Sequence, residues 1–248
     1  MPLELVTIRC LRDNYAYLIH GNGETALIDA PAAAPIQSAL DERDWRLDHI
    51  LLTHHHDDHI QDVPELRRAY PGVRVTGNRA DAERLPPLDQ ATGPCERVTI
   101  CGESAEVIDV SGHTIGHVAF HFPQSKLAFT ADSLMALGCG RLFEGDAAMM
   151  WGSLSRLNAL PAETLICSGH DYCAGNGAFA LSVDPQNNAL RARLAGVEGG
   201  APCAPATLAT ERATNPFLRV AALRDRLHMS DATDAEVFAR LRRMKDDF

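Results

Sequence analysis

Most of the chain alternates short apolar segments with turn residues, a pattern that predicts β-strands joined by tight connections. Gly21, Asn22 and Gly23 separate two such segments and favour a hairpin turn. The polar, proline-containing stretch 79–97 predicts a loop. The predicted strands cover residues 3–8, 15–19, 25–29, 49–53, 73–77, 105–110, 117–122, 126–130 and 163–167.

Apolar residues at helical spacing predict helices between some of these strands, over residues 35–43, 60–70 and 147–160. Pro71 and Gly72 end the second of these helices. Strands that alternate with helices, and whose residues are apolar in runs, are typical of sheets covered by helices.

The pattern changes after about residue 172, where segments rich in alanine, leucine and arginine predict helices over 184–197, 217–227 and 233–245. The last segment opens with Thr233 and Glu236 in the spacing of a capping box. We therefore predict an α/β fold with a catalytic domain over residues 1–172 and a small helical domain over residues 173–248.

Composition and charge narrow the class of protein. The 248 residues are 46% hydrophobic and 23% charged, which fits a globular protein. No apolar run approaches the roughly 18 residues of a membrane span, and Glu4, Arg9 and Arg12 interrupt any export signal. The net charge of −10 argues against nucleic-acid binding, which needs a basic face.

The cysteines are odd in number and scattered, without a CxxC pair, at positions 10, 95, 101, 139, 167, 173 and 203. This usage predicts reduced thiols in a cytoplasmic protein rather than a disulfide framework. Most of these cysteines are expected to be small buried hydrophobic residues.

Residues 53–59 read Thr-His-His-His-Asp-Asp-His, which is the strongest chemical signal in the chain. Imidazole and carboxylate ligands together suit zinc, iron or manganese. In an extended segment His54 and His56 can face one ion, while Asp58 and His59 turn toward a second. By the same alternation His55 points elsewhere.

Three further candidates follow strands far along the chain, at His113, Asp132 and His170. Taken alone, a histidine there is more often a packed residue and an aspartate more often a turn former. Their joint presence with the loop 53–59 favours metal ligation, because that loop needs partners. His117 is open to either interpretation.

The HxHxDH pattern of residues 54–59 is that of the metallo-β-lactamase superfamily. Within it, the chain resembles the glyoxalase II (hydroxyacylglutathione hydrolase) family along nearly its whole length. The segments that carry this resemblance are 13–15, 112–117, 129–132, 138–145 (GCGRLFEG), 169–172 and 215–219 (NPFLR).

The resemblance implies an αββα sandwich followed by a helical domain that helps to bind glutathione. It also implies two divalent metal ions per chain, with zinc expected and iron and manganese as alternatives. The implied ligands are His54, His56 and His113 for the first ion, Asp58, His59 and His170 for the second, and Asp132 as the bridge. Asp29 is either a carboxylate partner of these ligands or a turn residue.

The activity implied is hydrolysis of S-D-lactoylglutathione to glutathione and D-lactate, a step of methylglyoxal detoxification. Asp58 is expected to orient the hydroxide nucleophile. The leaving thiol has a pKa of about 8.5, so no dedicated protein acid is required. The implied substrate contacts are Arg141, Phe143, Tyr172 and Arg219, although some members carry tyrosine at the position of Phe143. We expect a monomer that acts on a small molecule, without a nucleic-acid or membrane partner.

Other functions are compatible with parts of this pattern. Another hydrolase or a persulfide dioxygenase of the same superfamily is the nearest alternative. The dioxygenase uses one iron, and a second ligand set of Asp58, His59 and His170 argues against it. A non-catalytic metal-binding or nucleic-acid-processing module is a more distant alternative.

Overall fold

The alternating segments at the start of the chain form strands, as predicted, in a computed structural model that describes residues 2–248. The chain divides into two units, one of residues 2–109 with 116–130, the other of residues 110–115 with 131–248. The domain boundary at residue 172 stays a prediction. Among the described residues, every helix is too short or too polar to cross a membrane.

The first unit contains a six-stranded sheet whose strands follow chain order. Its first three strands are antiparallel, and its last three continue the sheet in parallel pairs. The strands are β1 (Glu4–Cys10), β2 (Asn14–Gly21), β3 (Glu24–Ile28), β4 (His49–Leu51), β5 (Arg74–Asn78) and β6 (Gln90–Thr92).

Parallel strands need crossover connections, and helices supply them here. Helix α1 (Ala33–Asp41) links β3 to β4, while α2 (Asp57–Ile60) and α3 (Val63–Ala69) link β4 to β5. Ile36 of α1 and Leu66 of α3 are fully buried in one apolar cluster with Leu27 and Ile50 of the sheet. Their burial fixes the end of β4, from which the loop 53–59 emerges.

An antiparallel meander forms the second layer of this unit. It contains β7 (Arg97–Ile100), β8 (Glu103–Asp109), β9 (Val118–Phe122) and β10 (Leu127–Ala131). The ring of Phe129 lies 5.5 Å from that of Tyr17 on β2. Every residue of β9 and β10 is buried, so these two strands belong to the core.

The second unit combines short strands with most of the helices. Its strands are β11 (Leu134–Met135), β12 (Gly138–Cys139), β13 (Leu165–Ser168) and β14 (Ala206–Thr207). Its helices are α4 (Ala147–Asn158), α5 (Cys173–Val183), α6 (Asn188–Glu198), α7 (Leu208–Thr214), α8 (Val220–Leu223) and α9 (Asp234–Asp246). Phe217 lies at the centre of their core, 5.9 Å from Phe179 and 5.7 Å from Phe238 between ring centroids.

Two local predictions for the first unit were wrong. Residues 60–70 form the end of α2 and then α3 rather than one helix, because Pro64 has no N–H for the carbonyl of Ile60. The stretch 79–97 is not all loop, since it contains a 3₁₀ turn (Arg79–Asp81) and β6. Three residues are too few to show strand periodicity, and pairing with β5 supplies their hydrogen bonds.

The helical prediction after residue 172 was right in kind but incomplete. The capping box of Thr233 and Glu236 is present at the start of α9. Helices α5 and α7 were missed, and the predicted helix 217–227 shrinks to α8. Gly175 and Gly177 lower the helix propensity of α5, so packing in the unit rather than local sequence decides its conformation.

The expectation of seven reduced cysteines was also wrong. Cys173 and Cys203 form a disulfide, 30 residues apart in the chain. No spacing motif marks this pair, because the folding of the second unit brings the two residues together. The other five are free thiols, and burial raises the pKa of Cys10 to about 11 and that of Cys101 to about 12. Such thiols stay protonated and pack as small apolar groups.

Candidate metal centre

The loop that follows β4 groups three histidines in the first unit. The ring centroid of His54 lies 4.8 Å from that of His56 and 4.2 Å from that of His59. His54 and His59 are buried, so both rings are held by the fold. The extended backbone before α2 places His54 and His56 on one side, as the alternation predicts.

Asp29, at the end of β3, orients this loop. Its Oδ1 accepts a hydrogen bond from the Thr53 backbone N–H (2.9 Å), and its Oδ2 accepts one from the Thr53 hydroxyl (2.8 Å). The same Oδ2 lies 2.8 Å from His59 Nδ1, so that nitrogen carries the proton and donates it. Asp29 has a φ of +57°, a costly conformation found at functional sites. Of the two interpretations, Asp29 is the carboxylate partner.

Thr53 fixes His54 in turn. Its hydroxyl proton is donated to Asp29, so its oxygen accepts from His54 Nδ1 at 3.0 Å. Both His54 and His59 are therefore protonated on Nδ1, which leaves the lone pair on Nε2 for a metal ion. Ligand atoms of Asp29, His54 and His59 all lie within 4.8 Å of one another.

Asp58 is held by a residue from the start of β2. Asn14 Nδ2 donates to Asp58 Oδ2 (3.0 Å) and to the Asp58 carbonyl (3.1 Å). Asp58 Oδ2 lies 3.8 Å from His59 Nε2, a separation that suits two ligands of one ion. Asn14 belongs to one of the resemblance segments, but its contact with Asp58 could not be seen in the sequence.

In the second unit, two histidines converge on one carboxylate. Asp132 Oδ2 lies 3.5 Å from His113 Nε2 and 3.4 Å from His170 Nε2. All three residues are buried. His113 Nδ1 contacts the carbonyl oxygen of Arg141 at 2.7 Å, so it donates and its Nε2 again has the lone pair. A carboxylate between two imidazoles is the arrangement expected of a bridging ligand.

Backbone contacts position these three candidate ligands. The N–H of Gly140 donates to Ser133 O, and that of Gly169 donates to Ala131 O. A Cβ on Gly140 would lie 1.9 Å from the carbonyl oxygen of Asp132, so this position cannot carry a side chain. The glycine of the GCGRLFEG segment thus allows the close approach that brings Arg141 O to His113.

Side chains from the C-terminal part of the chain hold the GCGRLFEG segment and the residues just before it by hydrogen bonds. Asn215 Nδ2 donates to Met135 O (3.1 Å) and Gly138 O (2.9 Å). Arg242, buried on α9, donates to Cys139 O at 2.9 Å. Asn215 lies in the NPFLR segment, but no role for Asn215 or for Arg242 was predicted from the sequence. The short spacing of basic residues on the last predicted helix was the available signal.

The predicted substrate residues all lie in the second unit, in different settings. Phe143 is 62% exposed and its ring lies 5.2 Å from that of His113. Tyr172 is 42% exposed and stacks on His170 at 4.7 Å. Arg219, by contrast, donates to Asp184 at 3.1 Å.

A basic cluster surrounds Arg141, and we name it the Arg141–Lys245 cluster: Arg141, Arg242 and Lys245. Arg141 Nε lies 3.5 Å from Asp246 Oδ1, and Arg242 donates to the same oxygen at 2.9 Å. Burial lowers the pKa of Lys245, and the charges of Arg242 and Arg141 lower it further. Three cations thus share one carboxylate, which leaves a local excess of positive charge in an acidic protein.

The donor set fits divalent metal ions of the zinc type. Imidazole nitrogens and carboxylate oxygens are the ligands that zinc, iron and manganese accept. His54, His59 and His113 each have Nδ1 engaged in a hydrogen bond, the usual arrangement of metal-binding histidines.

The chain matches the metallo-beta-lactamase superfamily over residues 11–95 and 96–170, and it belongs to that superfamily. Residues 171–248 match the hydroxyacylglutathione hydrolase C-terminus. Hydroxyacylglutathione hydrolases of Fuscovulum blasticum and Cereibacter sphaeroides are 58% and 56% identical to it, with 100% of each chain covered. The chain is therefore a member of the hydroxyacylglutathione hydrolase (glyoxalase II) family.

A solved structure supports the same fold. The crystal structure of TTHA1623 in a di-iron-bound form has a TM-score of 0.63 and 26% identity, covering 87% of this chain and 100% of that one. The predicted α/β fold with a small helical C-terminal domain is confirmed. Superfamily membership and the histidine–aspartate clusters together indicate a binuclear metal site.

Proposed function

We propose that this chain is a metal-dependent thioesterase that hydrolyses S-D-lactoylglutathione to glutathione and D-lactate. Full-length relatives named hydroxyacylglutathione hydrolase support this activity. The observation that carries it is Asp132 Oδ2, which faces Nε2 of both His113 and His170. A shared carboxylate suits two ions, as hydrolysis at a binuclear centre requires.

The proposed ligand assignment follows the family motif residue by residue. One ion would be held by His54, His56 and His113, the other by Asp58, His59 and His170, and Asp132 would be shared by both. Zinc is the proposed metal, and metal analysis of protein purified from its native source would distinguish it from iron or manganese. The Nδ1 contacts of three of these histidines support the assignment, since they direct Nε2 to a ligand.

Two divalent cations supply Lewis acidity, which polarises a thioester carbonyl and makes water acidic near neutral pH. The chain's own groups then orient the reaction. Asp58, fixed by two hydrogen bonds from Asn14, presents a partly exposed carboxylate that can accept a proton from the attacking water. The departing thiolate needs no acid, because its conjugate thiol has a pKa of about 8.5.

Glutathione carries carboxylates, and the Arg141–Lys245 cluster is the local positive charge that can hold one. Lys245 Nζ lies 3.3 Å from the carbonyl of Gly175, in the first turn of α5, and Tyr172 precedes that turn. Phe143 and Tyr172 offer exposed rings beside His113 and His170. Arg219 remains a proposed contact, although it would have to leave Asp184 to bind substrate.

The test compares wild-type protein with His54→Ala. We expect about two metal ions per wild-type chain and turnover of lactoylglutathione, with both metal content and turnover falling in the variant. Loss of metal binding is expected because the substitution removes one of the proposed ligands. A metal-replete wild-type protein that leaves every glutathione thioester intact would refute the proposed function. Oxygen consumption with glutathione persulfide would favour the dioxygenase.

A monomer in the cytoplasm is also proposed. Light scattering of the purified protein tests the first point, with a mass near 26.9 kDa expected for one chain. Cell fractionation tests the second. Because Cys173 and Cys203 form a disulfide, the cysteines do not support this location, and the proposal rests on the cytosolic abundance of glutathione.

A further inference from the structure

His55 is the histidine of the loop 53–59 that the proposed metal assignment leaves without a role. Its Nδ1 lies 3.2 Å from Asp81 Oδ2, and its Nε2 lies 3.3 Å from Arg84 Nη1. A guanidinium can only donate, so His55 Nε2 accepts from Arg84 and its Nδ1 donates to Asp81. Both ring nitrogens are therefore occupied by residues of one neighbouring segment.

Asp81 is the centre of this arrangement, and its side chain is only 1% exposed. Its Oδ1 accepts from Arg84 through both Nε and Nη2. We name the three residues His55, Asp81 and Arg84 the Asp81 clamp. Separating a buried carboxylate from its hydrogen-bond donors costs free energy, because the charge would be left without a partner. The three side chains of the clamp are therefore held in one arrangement.

The segment that carries Asp81 is itself fixed. Asp81 ends the 3₁₀ turn that Asn78 caps by accepting from the N–H of Ala80. Asn78 Nδ2 also donates to Gly116 O at 2.8 Å. A Cβ on Gly116 would lie 2.1 Å from Asp81 Cγ, so the carboxylate is wedged against this glycine. Asp81 is therefore fixed in position, and a movement of the loop 53–59 would break its contact with His55.

His55 lies between two proposed metal ligands, in a connection whose last residue before α2, His56, has extended backbone angles. Successive side chains point to opposite sides of an extended stretch. Holding His55 against Asp81 therefore turns His54 and His56 toward the opposite side together. We propose that Asp81 is a positioning residue for the metal centre, which acts through His55 to align His54 and His56. This inference rests on the proposed ligand assignment.

The competing explanation is that the clamp only stabilises the fold. Two measurements separate the explanations: zinc affinity of the full chain by competition with a chelator, and kcat and KM with lactoylglutathione. Glu103→Gln is a suitable control, because Glu103 is a buried carboxylate of the same unit. Its contacts are with Gln124 and Ser125, far along the chain from the loop 53–59.

For Asp81→Ala we expect zinc affinity to fall by about 10- to 100-fold, the usual effect of losing a residue that orients metal ligands. We expect kcat to fall with KM nearly unchanged, and Glu103→Gln to retain both zinc affinity and kcat. Arg84→Met is a milder second variant, because Arg84 is partly exposed, and we expect a smaller loss in the same direction.

Zinc affinity and kcat at wild-type levels in either folded variant would overturn the positioning role. Losses in Glu103→Gln equal to those in Asp81→Ala would also overturn it, because they would reflect general destabilisation. His54→Ala serves as the reference for the ligand assignment. If it too retains zinc, the assignment fails; if it alone loses zinc, only the role of Asp81 fails.

Discussion

The two units hold their candidate ligands by different means. In the first, side chains hold side chains: Asp29 contacts His59, Asn14 contacts Asp58, and Thr53 contacts His54. In the second, main-chain groups do most of this work, as in the contact of Arg141 O with His113.

The difference follows from how each set of ligands is distributed. The loop 53–59 carries four candidate ligands within six residues, so a few neighbouring side chains suffice to orient them. His113, Asp132 and His170 come from three separate connections, and the connections themselves must be fixed. Asn215 and Arg242 do this from the C-terminal helices. The C-terminal helices therefore contribute to the metal centre as well as to the proposed glutathione site.

The largest expected effect is on stability, and it tests how strongly the C-terminal helices hold the second unit together through Glu211. This buried residue accepts hydrogen bonds from Arg193 (2.5 Å), Leu137 N (3.0 Å) and Asn215 (3.1 Å). In Glu211→Ala the Arg193 charge stays buried without its partner, so we expect a loss of about 3–5 kcal/mol in urea unfolding. The exposed Glu96→Ala, which breaks an ion pair with Arg79, should change stability little. Equal losses of stability in Glu211→Ala and Glu96→Ala would contradict the role given to Glu211.

An intermediate effect is expected from Asp29→Asn in the first unit. Asparagine keeps the shape and tolerates the positive φ of this position, so the change removes mainly the charge. We expect zinc affinity to fall by about 10- to 100-fold. Asp48→Asn is the control, since Asp48 contacts Thr25 N instead. If chelator competition gave the same zinc affinity for Asp29→Asn as for wild type, the orienting role of Asp29 would be wrong.

The smallest expected effect concerns the substrate side of the second unit. Lys245→Met should raise KM for lactoylglutathione about five-fold, or about 1 kcal/mol, because a partly exposed charge pair is screened by water. We expect kcat to stay unchanged. Arg219→Met is the comparison, and its pairing with Asp184 predicts a smaller rise in KM. A larger rise for Arg219→Met than for Lys245→Met would mean that Arg219 is the carboxylate anchor.

The same contrast explains how far sequence reasoning reached. The loop 53–59 could be recognised because its four candidate ligands fall within six residues, and the strands around it follow a clear apolar pattern. Asp132 and His170 follow distant strands, so the sequence suggests them as partners of the loop, and only the resemblance to a family assigns each of them to a particular ion. The roles of Asp81 and Glu211 could not be predicted, because a single acidic residue in a polar stretch or a helix has no sequence motif and its partners are brought to it only by folding. The disulfide was missed for the same reason.

The bond between Cys173 and Cys203 links the folding of the second unit to thiol chemistry. Folding and reduction of the bond form a thermodynamic cycle. The free energy by which the bond stabilises the folded chain therefore equals the extra free energy needed to reduce the bond in the folded chain rather than in the unfolded one. For a two-electron couple, about 1.4 kcal/mol corresponds to about 30 mV in reduction potential. Because Cys173 directly follows Tyr172, the resistance of this bond to thiols, including the glutathione that the proposed reaction releases, measures how firmly the start of α5 is held.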